Sequence, residues 1–286
     1  MQTCKPVTTS TLRQMKTKKE QIAMLTAYDY PSAKLAEQAG VDMILVGDSL
    51  GMVVLGYDST VSVTMDDMVH HTKAVTRAVT RAFVVADMPF LTCHGSVDQA
   101  IMHAGRLIQE GNAKAVKMEG GQEIVPIVKR CTLAGIPVMG HLGLTPQSVH
   151  QLGGYKVQGK DIESAKQLIT DAKALEEAGA FAIVLECVPR EVTAKVTEAL
   201  EIPVIGIGAG ADCDGQVLVF HDVLSYASNI QPKFAKSYAN IGETIQTAIE
   251  NYVNEVKAQH FPRPEHTFHA SEETVTQLYG KEGQKC

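Results

Sequence analysis

Five short apolar runs in this sequence each end on a residue that can exchange a proton or hold a cation. Asp48 follows MILVG, Asp87 follows FVVA, Glu119 follows AVKM, His141 follows PVMG and Glu186 follows FAIVL. Lys117 lies two residues before Glu119, so in an extended strand both side chains point to one face. Charged groups beside such runs are partly desolvated, which is costly unless they are paired or metal-bound. Convergence of Asp48, Asp87 and Glu119 would call for a cation between them. All-oxygen ligation selects a hard ion, Mg2+ first with Mn2+ or Co2+ as substitutes, whereas zinc prefers histidine or thiolate. Taken singly, each residue has an ordinary explanation. Asp48 fits a helix N-cap, Asp87 a turn before Met88-Pro89, and Glu119 a solvated turn before Gly120-Gly121. His141 fits a satisfied core histidine, and Glu186 an ion pair with Lys117 as partner. Their fall in five consecutive units is harder to assign to chance.

Those units belong to a longer alternation. Apolar, strand-like runs cover 22–29, 42–48, 83–90, 115–120, 137–142, 181–187, 203–210 and 216–222. Between them lie segments with apolar residues at three- and four-residue intervals, the helical spacing. Several end in glycine (Gly40, Gly111, Gly135, Gly179), the residue that best closes a helix in the left-handed conformation. Strands separated by helices run parallel. An open doubly wound sheet also fits this alternation, but eight units within roughly 250 residues favour a closed (β/α)8 TIM barrel. In that fold the carboxyl ends of all strands share one mouth, where chemistry occurs. The segment before residue 22 is expected to be a capping helix. Residues 1–259 form the barrel domain on this reading, and 260–286 a polar, proline-punctuated tail or lid.

Composition excludes several functions. The net charge is −6, whereas a nucleic-acid partner requires a basic surface. Six cysteines contain no CxxC pair, which argues against a disulfide framework or thiolate zinc site. The first residues lack the apolar run of a signal peptide, and no stretch of about 18 uncharged apolar residues crosses a membrane. A cytoplasmic protein is therefore expected. GIGAG at 206–210 imitates a dinucleotide loop, but it sits on the seventh strand, where close packing or a substrate-binding backbone loop explains it better. His70, His71, His266 and His269 read as surface residues.

Several blocks carry a resemblance. GDSLGMVVLGYDSTVSVT (47–64), VVADMPF (84–90), VKMEGG (116–121), GHLGLTPQSVHQLGGYKVQGK (140–160), LECVP (185–189) and IPVIGIGAGADCDGQVLVFHD (202–222) closely resemble the ketopantoate hydroxymethyltransferases, in order from about Ile22 to past Asp222. The resemblance implies a (β/α)8 barrel of the phosphoenolpyruvate/pyruvate type and assembly as a homodecamer. It implies transfer of a hydroxymethyl group from 5,10-methylenetetrahydrofolate to 3-methyl-2-oxobutanoate in pantothenate synthesis, with Mg2+ as the metal. Carried over by motif, Asp48, Asp87 and Glu119 are the metal carboxylates, with Asp48 and Asp87 also beside the substrate. Ser49 and Lys117 hold the 2-oxo acid, Glu186 is the catalytic base, and His141 lies in the same pocket. The rival readings are a Mg2+-dependent carbon–carbon lyase or phosphonate mutase of the same superfamily, and a noncatalytic metabolite-binding barrel. The KKCGH-type cysteine loop of such lyases is absent. A noncatalytic barrel gives no reason to keep both Lys117 and Glu186.

Overall fold

Aliphatic side chains crowd both faces of runs such as MILV and FVVA, which suits parallel strands covered on two sides. The strands are β1 (Ile22–Thr26), β2 (Met43–Val46), β3 (Phe83–Asp87), β4 (Ala115–Glu119), β5 (Val138–Gly143), β6 (Ala182–Glu186), β7 (Val204–Ile207) and β8 (Gly215–Leu218). The computed structural model describes residues 5–226 and 232–280. Each strand pairs in parallel with the next, and β8 pairs with β1 to close the barrel. All eight expected strands are present, most of them shorter than the apolar runs. β2 stops at Val46, so Asp48 lies just past the strand in the turn before the short helix Leu50–Val53.

Alternate side chains enter the barrel. Met24, Met43, Phe83, Val85, Met139 and Val184 belong to the inner core, while Ile44, Val84, Val116, Met118 and Ile183 pack outward under the helices. This parity decides where the chemistry stands. Two residues beyond Val85 is Asp87, beyond Ala115 come Lys117 and Glu119, beyond Met139 is His141, and beyond Val184 is Glu186. The inner column is apolar at its base and ionisable at its carboxyl end.

The base is covered by the expected capping helix, Thr9–Lys18. Thr8 starts it by accepting a hydrogen bond from the Thr11 backbone N–H, a reciprocal cap that satisfies otherwise orphaned donors. Leu12 is wholly buried and joins the inner core, and Lys16 Nζ ion-pairs with Asp214 Oδ2 at 2.8 Å.

The chain divides into two compact units at Ala239/Asn240, twenty residues before the barrel boundary read from the sequence. Helix Ile241–Lys257 accounts for the difference. Its apolar residues recur at core-like intervals, yet none of its side chains is buried. The expected tail contains a helix of its own, Glu272–Tyr279. Cys93, Cys131, Cys187 and Cys213 are free thiols; Cys4 and Cys286 lie outside the described residues.

Candidate active site

Strand register brings the ionisable layer together. Asp87 on β3 is the register partner of Lys117 on β4, and Glu119 is the partner of His141 on β5. Lys117 Nζ lies 2.9 Å from Asp87 Oδ1 and 3.9 Å from Glu119 Oε1. His141 Nδ1 is 3.1 Å from Lys117 Nζ and 3.3 Å from Glu119 Oε1. Its Nε2 is 3.3 Å from Glu186 Oε2. Asp48 enters from the turn after β2, where its backbone N–H donates to Asp87 Oδ2 at 3.0 Å. Ser49 Oγ shares a 2.8 Å hydrogen bond with Tyr28 OH. The fold thus assembles Asp48, Ser49, Asp87, Lys117, Glu119, His141 and Glu186 at one mouth. Asp48, Asp87, Lys117, Glu119 and His141 are buried; the Glu186 side chain keeps 15% of its surface exposed and is the most accessible of the acids.

The charges do not balance. Four carboxylates face one lysine and one histidine, and the resulting excess of negative charge appears in the titration of the group. Burial pulls the Lys117 ammonium toward neutrality, but Asp87, Glu119 and Asp48 outweigh it and hold the group protonated above the ordinary lysine range. Burial and Lys117 likewise push His141 down, yet hydrogen bonds to Glu119 and Glu186 prevail and set it at about 9. Burial raises Glu119, but His141, Lys117 and the Gln147 N–H more than offset it, and its carboxyl lies below the usual range. Asp48 carries the imbalance. Burial, then Asp87 and Glu119, raise its carboxyl well above the ordinary value.

Were all four acids ionised beside a protonated Lys117 and His141, two negative charges would be uncompensated, which one divalent ion would neutralise. Asp87 Oδ1 and Glu119 Oε1 are buried and accept no well-aligned hydrogen bond, so both retain lone pairs for a cation. The donor set fits a hard divalent metal. The arrangement nevertheless differs from the shared-cation cluster expected for Asp48, Asp87 and Glu119. Among the described residues, no three His, Cys, Asp or Glu side chains form a ready ligand cage. Lys117 stands against Asp87 and Glu119, and the Gln147 amide against Asp48.

A stability test follows from the sign of the Asp48 shift. A carboxyl raised in the folded state contributes stability below its unfolded value, about 3.9, and loses it as pH rises through the folded value. Glu119, lowered on folding, has the opposite dependence. Asp48→Asn removes only the first slope. Metal-free Asp48→Asn is therefore expected to melt higher than the parent at neutral pH, with the gap narrowing as pH falls. Paired melting curves across pH without metal would check this, and a lower Tm for the variant at neutral pH would refute it.

Sequence reading missed Gln147, a buried residue in the turn after β5. Its backbone N–H donates to Glu119 Oε2 at 3.0 Å, and Nε2 donates to Asp48 Oδ2 at 2.8 Å and to the Met88 carbonyl at 2.9 Å. It sits inside the GHLGLTPQSV block, but an amide in a turn has no periodicity to distinguish it. Tyr28, fully buried and bonded to Ser49, was hidden within a strand run. His71 is half-buried rather than a surface residue, with Nδ1 2.6 Å from the Tyr28 carbonyl. The GIGAG segment serves close packing. A Cβ on Gly206 would meet Cys213 Sγ at 2.7 Å, and one on Gly208 the Phe234 ring at 2.8 Å.

Gly143 closes β5 beside Glu186 in register. Its φ is +89°, and a Cβ there would lie 2.3 Å from the Glu186 carbonyl oxygen. Gly143→Ala must both strain the backbone and displace β6. A loss of about 2–4 kcal/mol is expected, measurable by urea titration; a wild-type midpoint would contradict it.

Comparison with known proteins gives concordant results. The family model described as "Ketopantoate hydroxymethyltransferase" matches residues 6–264. The 3-methyl-2-oxobutanoate hydroxymethyltransferase of Halalkalibacterium halodurans is 59% identical over 273 residues, covering 96% of this chain and 98% of the relative. That of Geobacillus kaustophilus is 62% identical over 266 residues, covering 93% and 95%. Among solved structures, a phosphonopyruvate hydrolase complexed with oxalate and Mg2+ superposes with a TM-score of 0.58 at 15% identity, covering 96% of this chain and 95% of that one. A 2,3-dimethylmalate lyase gives 0.57 at 16% identity, covering 96% and 92%. At such low identities the structural matches establish the fold alone, and the barrel topology agrees with them.

Proposed function

This chain belongs to the ketopantoate hydroxymethyltransferase family, an enzyme of the transferase class, and from that premise we propose that it uses 5,10-methylenetetrahydrofolate and a divalent metal to hydroxymethylate 3-methyl-2-oxobutanoate. The observation that carries the reading is the surplus of negative charge at a mouth where Glu119 stands between Lys117 and His141, and His141 reaches on to Glu186.

The carbon to be modified is weakly acidic because it stands next to a ketone. Glu186 is the base, since it is the most accessible acid at the mouth and an incoming substrate can reach it. Lys117 and Ser49 hold the carboxylate and oxo oxygens, and Tyr28 fixes the Ser49 hydroxyl. His141, held as the imidazolium below about pH 9 by its contacts with Glu119 and Glu186, links the base to Glu119 and tempers the charge left when a proton moves. Asp48, Asp87 and Glu119 would hold Mg2+, whose contribution is Lewis-acid stabilisation of the negative charge developing on the oxo oxygen. Water opens the methylene bridge of the folate, so that both of its C–N bonds break. The two nitrogens take the water protons, and the one-carbon unit is freed at the oxidation level of formaldehyde. The carbon nucleophile bonds to that carbon, its oxygen takes the proton held by Glu186, and 2-dehydropantoate and tetrahydrofolate leave.

The decisive assay follows tetrahydrofolate-linked formation of dehydropantoate with and without chelator. Activity that disappears on chelation and returns with Mg2+ is expected. Folate-independent cleavage of a larger acid would instead favour a lyase. We also propose that the chain assembles as a homo-oligomer, a decamer by family resemblance. The exposed apolar series Ile245, Ile249, Tyr252, Val253 and Val256 supports self-association, and sedimentation of a monomer at micromolar concentration would refute it. Among the described residues no helix is long and apolar enough to cross a membrane.

A further inference from the structure

Among the described residues, Gln147 alone hydrogen-bonds as donor to two of the three proposed metal carboxylates. Its backbone N–H serves Glu119 and its side-chain nitrogen serves Asp48. The same nitrogen also donates to the Met88 carbonyl, at the end of the segment that carries Asp87. With both amide protons committed to acceptors, the amide cannot be reversed, because its oxygen would then face a carboxylate and a carbonyl. That fixes Oε1 on the other side, where it is buried and without a hydrogen-bond partner among the described residues. A buried acceptor next to carboxylates needs a donor from outside the chain.

We propose that Gln147 is a positioning residue that presets Asp48 and Glu119 for a divalent cation and accepts, through Oε1, a hydrogen bond from water on that cation. The proposal rests on the metal reading of this site. Asp48 stands among like charges that would otherwise turn it aside, and the Gln147 N–H holds one of its oxygens in place. A hard cation such as Mg2+ keeps several of its waters when bound, and the charge of the ion makes those waters strong donors. The unfilled acceptor therefore matches the hydration shell of the metal. Groups that orient metal ligands in this way typically influence affinity by about ten- to hundredfold.

The test is titration of the purified full chain with Mn2+, read as free ion by electron paramagnetic resonance, so that turnover plays no part. Gln147→Met removes both amide functions and leaves the backbone bond to Glu119. It is expected to weaken Mn2+ binding about ten- to hundredfold and to reduce the rise in Tm that Mn2+ gives the parent. Gln147→Asn, one methylene too short to span Asp48 and Met88 together, should show the same loss and serves if the Met variant fails to fold. A residue that merely anchors its loop would act independently of Asp48. A positioning residue would not, so Asp48→Asn should cost at least about fivefold less affinity in the Gln147→Met background than in the parent. Additive losses, or parental affinity in folded Gln147 variants, would overturn the proposal while leaving the metal site standing. A parent chain that binds no Mn2+ would overturn both.

Discussion

Glu186→Gln is expected to lower turnover by about two to four orders of magnitude while leaving 2-oxo acid binding largely intact. An amide has nearly the shape of the carboxylate, so β6 and the 3.3 Å approach to His141 can persist. It cannot accept the proton. Binding should survive because Lys117 and Ser49, rather than Glu186, are assigned the grip on the substrate. Exchange of the substrate's C3 hydrogen with deuterium from solvent isolates this step from the folate chemistry. In the variant that exchange should fall in parallel with turnover, and KM for the 2-oxo acid should change only modestly. Parental exchange in a folded, metal-loaded variant would remove Glu186 from the role of base.

Asp87→Ala is expected to have two large effects at once. The substitution takes away the nearest partner of a buried ammonium, Lys117 at 2.9 Å, and the acceptor for the Asp48 N–H. Stranding one member of a buried pair costs about 3–5 kcal/mol, so the variant should unfold at markedly lower denaturant concentration. It should also bind Mg2+ far more weakly, because one of the three carboxylates has gone. The stability effect is opposite in sign to that of Asp48→Asn, although both remove a carboxylate from the same proposed site. Asp87 is compensated by a fixed internal cation and Asp48 is not. Calorimetric Mg2+ titration together with urea unfolding checks both effects, and parental metal affinity would exclude Asp87 as a ligand.

Most of this site was legible because strand alternation is a local rule. Lys117 and Glu119, two residues apart, had to share a face, and each acid after an apolar run had to lie near the mouth. Partner identity was less accessible. The sequence offered Lys117 as a partner for Glu186, whereas the register between β3 and β4 sets it beside Asp87, a fact that depends on the stagger of two strands thirty residues apart. The expectation of a metal between converging carboxylates overlooked that lysine as a resident cation. Gln147 was invisible for another reason, because its importance comes from three hydrogen bonds to groups distant in sequence. Helix Ile241–Lys257 shows a further limit, because periodicity signals an apolar face without saying what covers it.

Closing the sheet has a further consequence for how copies of the chain can meet. In an open sheet, the outermost strands present unpaired N–H and C=O groups that recruit strands from other molecules and lead toward fibrous aggregates. Here β1 and β8 satisfy one another, and that route is removed. Adhesion is left to side-chain surfaces, which discriminate by shape and build a finite assembly where the symmetry of the contact closes on itself.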